Sequence, residues 1–223
     1  MLINLKELLN YTNKKIIGVI HVGAHYGEEF HEYLDNGFKY IHAFEPLNEN
    51  FKVLETKFNK NKKIFLYKTA LGNKTGEVNM YLSSNNLESS SILKPYLHLN
   101  QHKNVKFSGY EKVKLDKLDN FKINKECNFL NLDVQGYELE VLRGSNNILG
   151  QIDIINCEIN NDETYKNNPL VSEIDKYLEK YNFKRVKTKW AGENLTWGDA
   201  IYVKNYKFSK LSFIQKIKIL INN

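Results

Sequence analysis

The residues best suited to chemistry fall in three short stretches. The first is a turn, Gly23-Ala24-His25-Tyr26-Gly27, at the end of an apolar run containing Ile16, Ile17, Val19, Ile20 and Val22. Near-continuous apolar runs mark buried parallel strands, and small residues at the tip of one let backbone approach a ligand closely. The second is Glu45, which follows the run Tyr40-Ile41-His42-Ala43-Phe44 and precedes Pro46. A carboxylate at a strand tip, roughly 20 residues beyond such a turn, can accept both hydroxyl hydrogens of a ribose. The third is Asp133, at the end of Phe129-Leu130-Asn131-Leu132, with Glu158 at the end of another apolar run. Open α/β sheets bind ligands at the carboxyl ends of their strands, so Asp133 and Glu158 are expected side by side at that edge. The combination points to a nucleoside cofactor next to carboxyl groups able to move a proton.

Each stretch also has a simpler use. A glycine turn of this spacing can join a strand to a helix with no ligand, and an acid before a helix is favourable at its N-terminus. The G-x-x-x-G spacing, with Ala24 in second place, departs from the G-x-G-x-x-G of dinucleotide enzymes. An NAD-linked oxidoreductase is therefore the secondary reading.

The elements that must hold these residues follow from hydrophobic period and punctuation. Short helices are expected at 3–10 and 26–36, the latter stopped by Asn36-Gly37, and strands at 16–22 and 39–45. Leu47, Phe51, Leu54 and Phe58 form one stripe of a helix after Pro46, ahead of strands at 64–68 and 77–82. Further strands are expected at 128–133, 152–158, 183–188 and 200–203, with helices at 137–143 and 170–180. This alternation predicts a doubly wound α/β sheet in a single domain over residues 1–206. Residues 83–110 are polar with scattered aromatics, and are expected as a substrate-facing insertion with one helical turn.

Composition excludes some classes. At 223 residues with 42% hydrophobic content, the chain can bury a core and is not disordered. Its charge of +6 comes almost wholly from lysine, Arg143 and Arg185 being the only arginines, which argues against nucleic acid as partner. Cys127 and Cys157 fall at opposite ends of neighbouring strands, too far apart to bridge, and are expected as reduced buried thiols in a cytoplasmic protein. No secretory signal or membrane-spanning run is visible. Lys207–Asn223 reads as a basic amphipathic helix that docks on its own domain, pairs subunits or lies on a membrane surface.

Several motifs in order make the reading specific. Val22-Gly23-Ala24-His25-Tyr26-Gly27, Phe44-Glu45-Pro46, Ala70-Leu71-Gly72 with Gly76, Ser89-Ser90-Ser91, and Leu132-Asp133-Val134-Gln135-Gly136-Tyr137-Glu138 resemble the successive motifs of the FkbM family. Members of that family are S-adenosylmethionine-dependent methyltransferases with a mostly parallel seven-stranded Rossmann-like fold, helices on both faces. The resemblance implies that Gly23, Ala24 and Gly27 cradle the methionine end of the cofactor, that Glu45 holds the ribose, and that Ala70 and Leu71 lie near the adenine. It also implies O-methylation of a glycan or natural-product hydroxyl. His21 stands where the family usually has an acid for the cofactor's ammonium, so affinity is expected to fall at acid pH as His21 protonates.

Methyl transfer to oxygen requires alignment, exclusion of water and, where needed, a base. Asp133, Glu158 and His25 are the candidates, in that order. Asp133, Glu158 and Asn160 could also hold magnesium, whereas no His/Cys set has zinc spacing, and no metal is expected. Trp190, Trp197, Tyr96 and His98 are candidates to line an acceptor pocket. A non-catalytic cofactor-binding or membrane-surface protein of the same fold is the remaining alternative.

Overall fold

The computed structural model describes residues 1–191 and 195–205. The strands are β1 (Gly18–Val22), β2 (Tyr40–Phe44), β3 (Ile64–Tyr67), β4 (Ala70–Leu71), β5 (Gly76–Ser83), β6 (Phe107–Asp116), β7 (Cys127–Leu132), β8 (Ile154–Asn160), β9 (Phe183–Ala191) and β10 (Trp197–Lys204). The helices are α1 (Leu5–Leu9), α2 (Phe30–Asp35), α3 (Asn48–Phe58), α4 (His98–Gln101), α5 (Glu138–Arg143) and α6 (Val171–Glu179). Seven strands form one sheet in the order β3-β2-β1-β7-β8-β10-β9, parallel except for β10, which runs antiparallel to both its neighbours. The chain winds outward from β1 to β3, then returns to lay β7 against the other side of β1. That reversal opens a crevice at the carboxyl ends of β1 and β7. It is the mostly parallel seven-stranded Rossmann-like arrangement that the sequence resemblance implies.

Alternation along each strand feeds two cores. Ile20, Val22, Leu130, Leu132, Ile155 and Cys157 face one side of the sheet; Val19, Ile41, Phe129, Ile154 and Ile201 face the other. One rung of the second face is polar. His21, Asn131 and Asn156 are direct neighbours on β1, β7 and β8. Asn131 Nδ2 donates to His21 Nε2 at 3.0 Å, Asn156 Nδ2 donates to Asn131 Oδ1 at 2.9 Å, and Tyr33 Oη lies 3.3 Å from His21 Nδ1. This rung sits one layer beneath Asp133 and Glu158.

The structure moves several expected boundaries. The helix expected from residue 26 begins only at Phe30, because His25 and Gly27 both adopt positive φ, which an α-helix cannot contain. The 83–110 segment contains the expected helical turn, α4, but its last residues already belong to β6. β6 pairs antiparallel with β5 and parallel with β4 in a second, three-stranded sheet packed on Leu47. The stretch before Val113 is largely exposed, Tyr110 above all, so it carried no apolar signal. Trp190 and Trp197, expected in a loop, lie in β9 and β10. Both cysteines are buried and free. Among the described residues no helix is long and apolar enough to cross a membrane, and the expected C-terminal helix lies outside those residues.

Asn131→Ala would leave His21 Nε2 and Asn156 Nδ2 without partners in the sheet interior. A loss of roughly 2–5 kcal/mol is expected, read as a lowered denaturation midpoint in urea; an unchanged midpoint would show that the rung is dispensable.

Candidate active site

The crevice holds a cavity of about 480 Å³, within the roughly 300–1,000 Å³ typical of ligand sites. The glycine turn forms its floor. Gly23 has φ +81°, and a Cβ there would come within 1.7 Å of the Asp133 carbonyl oxygen, so only glycine lets the ends of β1 and β7 meet. Gly23 and Ala24 both donate their N–H to the Phe44 carbonyl at 3.0 Å, fastening the turn to β2. His21, Gly23, Ala24, His25, Glu45, Pro46, Ala70, Leu71, Asp133 and Glu158 all border the cavity. Gly27 does not: its Cα faces Leu54 and Phe58, and it is glycine so that the turn can pack on α3. Gly27 thus has a packing role of its own, whatever it does toward a cofactor.

Glu45 is almost wholly buried. Its Oε2 accepts the His25 N–H at 2.9 Å, and its Oε1 accepts the Leu47 N–H at 2.9 Å and the Asn50 side-chain amide at 3.4 Å. Burial outweighs these bonds and pushes the carboxyl up to about 7. One acid thus ties together the glycine turn and the start of α3.

Asp133 and Glu158 meet as the register of β7 and β8 requires. Gln135 Nε2 donates to both, at 2.8 Å to Asp133 Oδ1 and 2.7 Å to Glu158 Oε2. Tyr165 Oη donates to Gln135 Oε1 and to the Ser89 carbonyl, each at 2.9 Å. Burial, then the charge of Asp133, holds the Glu158 carboxyl well above its ordinary range, which favours its protonated form. Glu138 stabilises the turn between them by accepting the Val134 and Gly136 N–H groups at 3.0 and 3.1 Å. Burial pushes it up to about 7.

The two histidines behave differently. Burial lowers the pKa of His21, so any repulsion of a cationic cofactor sets in at a lower pH than an ordinary histidine would give. His25 Nδ1 lies 2.8 Å from Glu28 Oε1, and Nε2 lies 2.9 Å from the Asn86 carbonyl. Burial opposes its charge, but these two acceptors raise its pKa on balance, and they make it a tie between the turn and the 83–110 segment. Among the described residues, no group of three or more His, Cys, Asp or Glu side chains is placed to hold a metal ion.

Residues 21–185 match the Methyltransferase FkbM domain, from β1 to β9. The chain belongs to the FkbM methyltransferase family. No curated protein matches it. Its fold is similar to that of magnesium protoporphyrin IX methyltransferase from Synechocystis PCC 6803, solved with bound S-adenosylmethionine, at 10% identity and TM-score 0.50 over 88% of this chain and 74% of that one. A putative tRNA (m1A22) methyltransferase from Streptococcus pneumoniae, also solved with that cofactor, gives 13% identity and TM-score 0.51 over 94% and 74%. An uncharacterized protein from Listeria monocytogenes gives 9% and 0.53 over 96% and 72%. These likenesses concern the fold alone.

S-adenosylmethionine is the cofactor of FkbM methyltransferases, and the residues present fit it. Glu45 is a buried acceptor of the kind ribose hydroxyls need, the Gly23 turn admits backbone contact, and Ala70 and Leu71 line the cavity with apolar side chains of the kind a purine packs on. Sequence reasoning gave Gln135 no part in the chemistry, although it sits in the Leu132–Glu138 motif, and did not single out Tyr165. It also missed Asp199, adjacent to Glu158 across β8 and β10, whose Oδ2 accepts the Leu2 and Ile3 N–H groups and brings the chain's start to the cavity edge. Only tertiary pairing brings these partners together. Of the four aromatic candidates, Trp197 and His98 line the cavity, Trp190 packs against the core and Tyr96 is exposed.

Ribose hydroxyls donate to an ionised carboxylate, and Glu45 ionises as the pH rises through about 7. Cofactor affinity should therefore increase from pH 6 to pH 8, by up to about tenfold. Titration calorimetry of wild type and Glu45→Gln checks this, the variant binding more weakly and with a flattened profile.

Proposed function

We propose that the protein transfers the methyl group of S-adenosylmethionine to a hydroxyl of a glycan or natural-product acceptor, with Asp133 receiving the hydroxyl's hydrogen. The observation that carries this reading is the single cavity in which the Gly23 turn and Glu45 meet the Asp133–Glu158 pair. When bound, the cofactor supplies an electrophilic methyl carried on a sulfonium. Everything else falls to the chain. Glu45 and the turn fix the nucleoside; Gln135, held by Tyr165, keeps the Asp133 carboxylate aimed; Glu158, protonated, hydrogen-bonds Asp133 and spares the site a second negative charge. In this reading residues 1–206 are one catalytic domain, and 83–110 is its acceptor-side insertion. Lys207–Asn223 would serve self-association or peripheral membrane contact.

Asp133→Asn should lower kcat by about 10²–10⁴-fold while cofactor affinity stays within about tenfold. Glu158→Gln, which keeps a neutral side chain, should lose much less. Incorporation of labelled methyl into a hydroxyl acceptor, paired with calorimetry of the cofactor, separates the two; equal losses in both variants would remove Asp133 as the base.

A further inference from the structure

The cavity extends past the reacting carboxyls to a wall whose polar atoms have nothing to bond. His98 Nδ1, Thr164 Oγ1 and Trp197 Nε1 are buried without a partner, and all three residues line the cavity. Nearly all buried polar atoms in folded proteins are paired, and an orphan costs roughly 1–3 kcal/mol, so three on one wall indicate partners that arrive with a ligand. The wall lies on the Glu158 side. Trp197 is paired in register with Asn160, two residues beyond Glu158, and both amide atoms of Asn160 are also unpartnered. The His98 N–H donates to the Thr164 carbonyl at 3.0 Å, and its ring stands 5.4 Å from that of Tyr165. Glu45, the proposed nucleoside anchor, belongs to the other half.

The chemistry of the wall is neutral and mixed. An indole N–H only donates, a hydroxyl does both, and a neutral imidazole nitrogen accepts or donates, a set that vicinal hydroxyls match. Burial, followed by the nearby His102, pushes His98 down to about 4, so it brings no cation. No lysine or arginine lines the cavity among the described residues, although the chain carries a net charge of +6. The ionisable acids on its wall are Glu28, Glu29, Glu45, Glu88, Asp133 and Glu158. The Met1 ammonium and His25, which also border the cavity, are already engaged by Glu29 and Glu28. A phosphate or carboxylate entering here would thus be stripped of water beside these acids with no lysine or arginine to meet it.

Building on the methyltransferase reading, we propose that His98, Thr164 and Trp197 form the acceptor subsite, and that it takes an uncharged sugar ring in preference to a phosphorylated or acidic one. The test uses the full chain loaded with S-adenosylhomocysteine, titrated by saturation-transfer NMR with methyl hexopyranosides, their 6-phosphates and the matching uronates. At least one neutral hexopyranoside should bind, with its 6-phosphate and uronate at least about tenfold weaker. Thr164→Val, which keeps shape, and Trp197→Phe, which keeps an aromatic ring, each remove one hydrogen-bonding group and should weaken that binding about five- to tenfold. Calorimetric affinity for S-adenosylhomocysteine should be unchanged in both. Binding of S-adenosylhomocysteine with no neutral hexopyranoside bound, with the charged sugars bound as tightly, or with both variants unaffected overturns this inference alone. Failure of S-adenosylhomocysteine to bind the wild-type chain overturns the methyltransferase reading, and this inference with it.

Discussion

The contact between Gly23 and the Asp133 carbonyl is the constraint on which the site depends. It places the ends of β1 and β7 so close that no side chain fits between them, and both stretches with chemical potential leave the sheet at that point. The Asp133 N–H in turn donates to the Val22 carbonyl at 3.0 Å, so the close approach is held by the same ladder that builds the sheet. From there Glu45 draws the turn toward β2, and Gln135 draws the Asp133 loop toward β8. The cavity is thus framed by hydrogen bonds that start from strand ends, where position is set by sheet register more than by loop conformation.

Electrostatics follow from the same frame. The acids sit where burial raises the pKa of two of them, Glu45 and Glu158, so the protein avoids concentrating full negative charge in a confined space. A cationic cofactor complements what charge remains. Lysines, abundant in the sequence, are kept off the cavity wall among the described residues. The overall positive charge and the acidic site are therefore separate properties, and the bulk number misleads about the local one.

The fold was largely legible because parallel strands buried on both faces read as near-continuous apolar runs, and β1, β2, β7 and β8 do so apart from a few polar residues such as His21, His42, Asn131 and Asn156. Strand tips inherited that legibility, which is why Glu45, Asp133 and Glu158 could be named from spacing. The three-stranded sheet was not legible, since Ser108, Gly109 and Tyr110 give β6 an exposed and irregular start. The packing of Gly27 was hidden because a positive φ looks the same in sequence whether the space above it belongs to a ligand or to Phe58. His98 was named as an aromatic candidate, but Thr164 was out of reach for a further reason: it meets His98 only through the bond from the His98 N–H to the Thr164 carbonyl, which depends on long-range packing.

His25 joins the glycine turn to Asn86, and its neighbour Leu87 adopts a φ of +66° that a branched side chain seldom tolerates. One imidazole therefore couples the floor of the cavity to its roof. Floor and roof thus share a single side chain, which ties the turn that leaves β1 to the loop that follows β5.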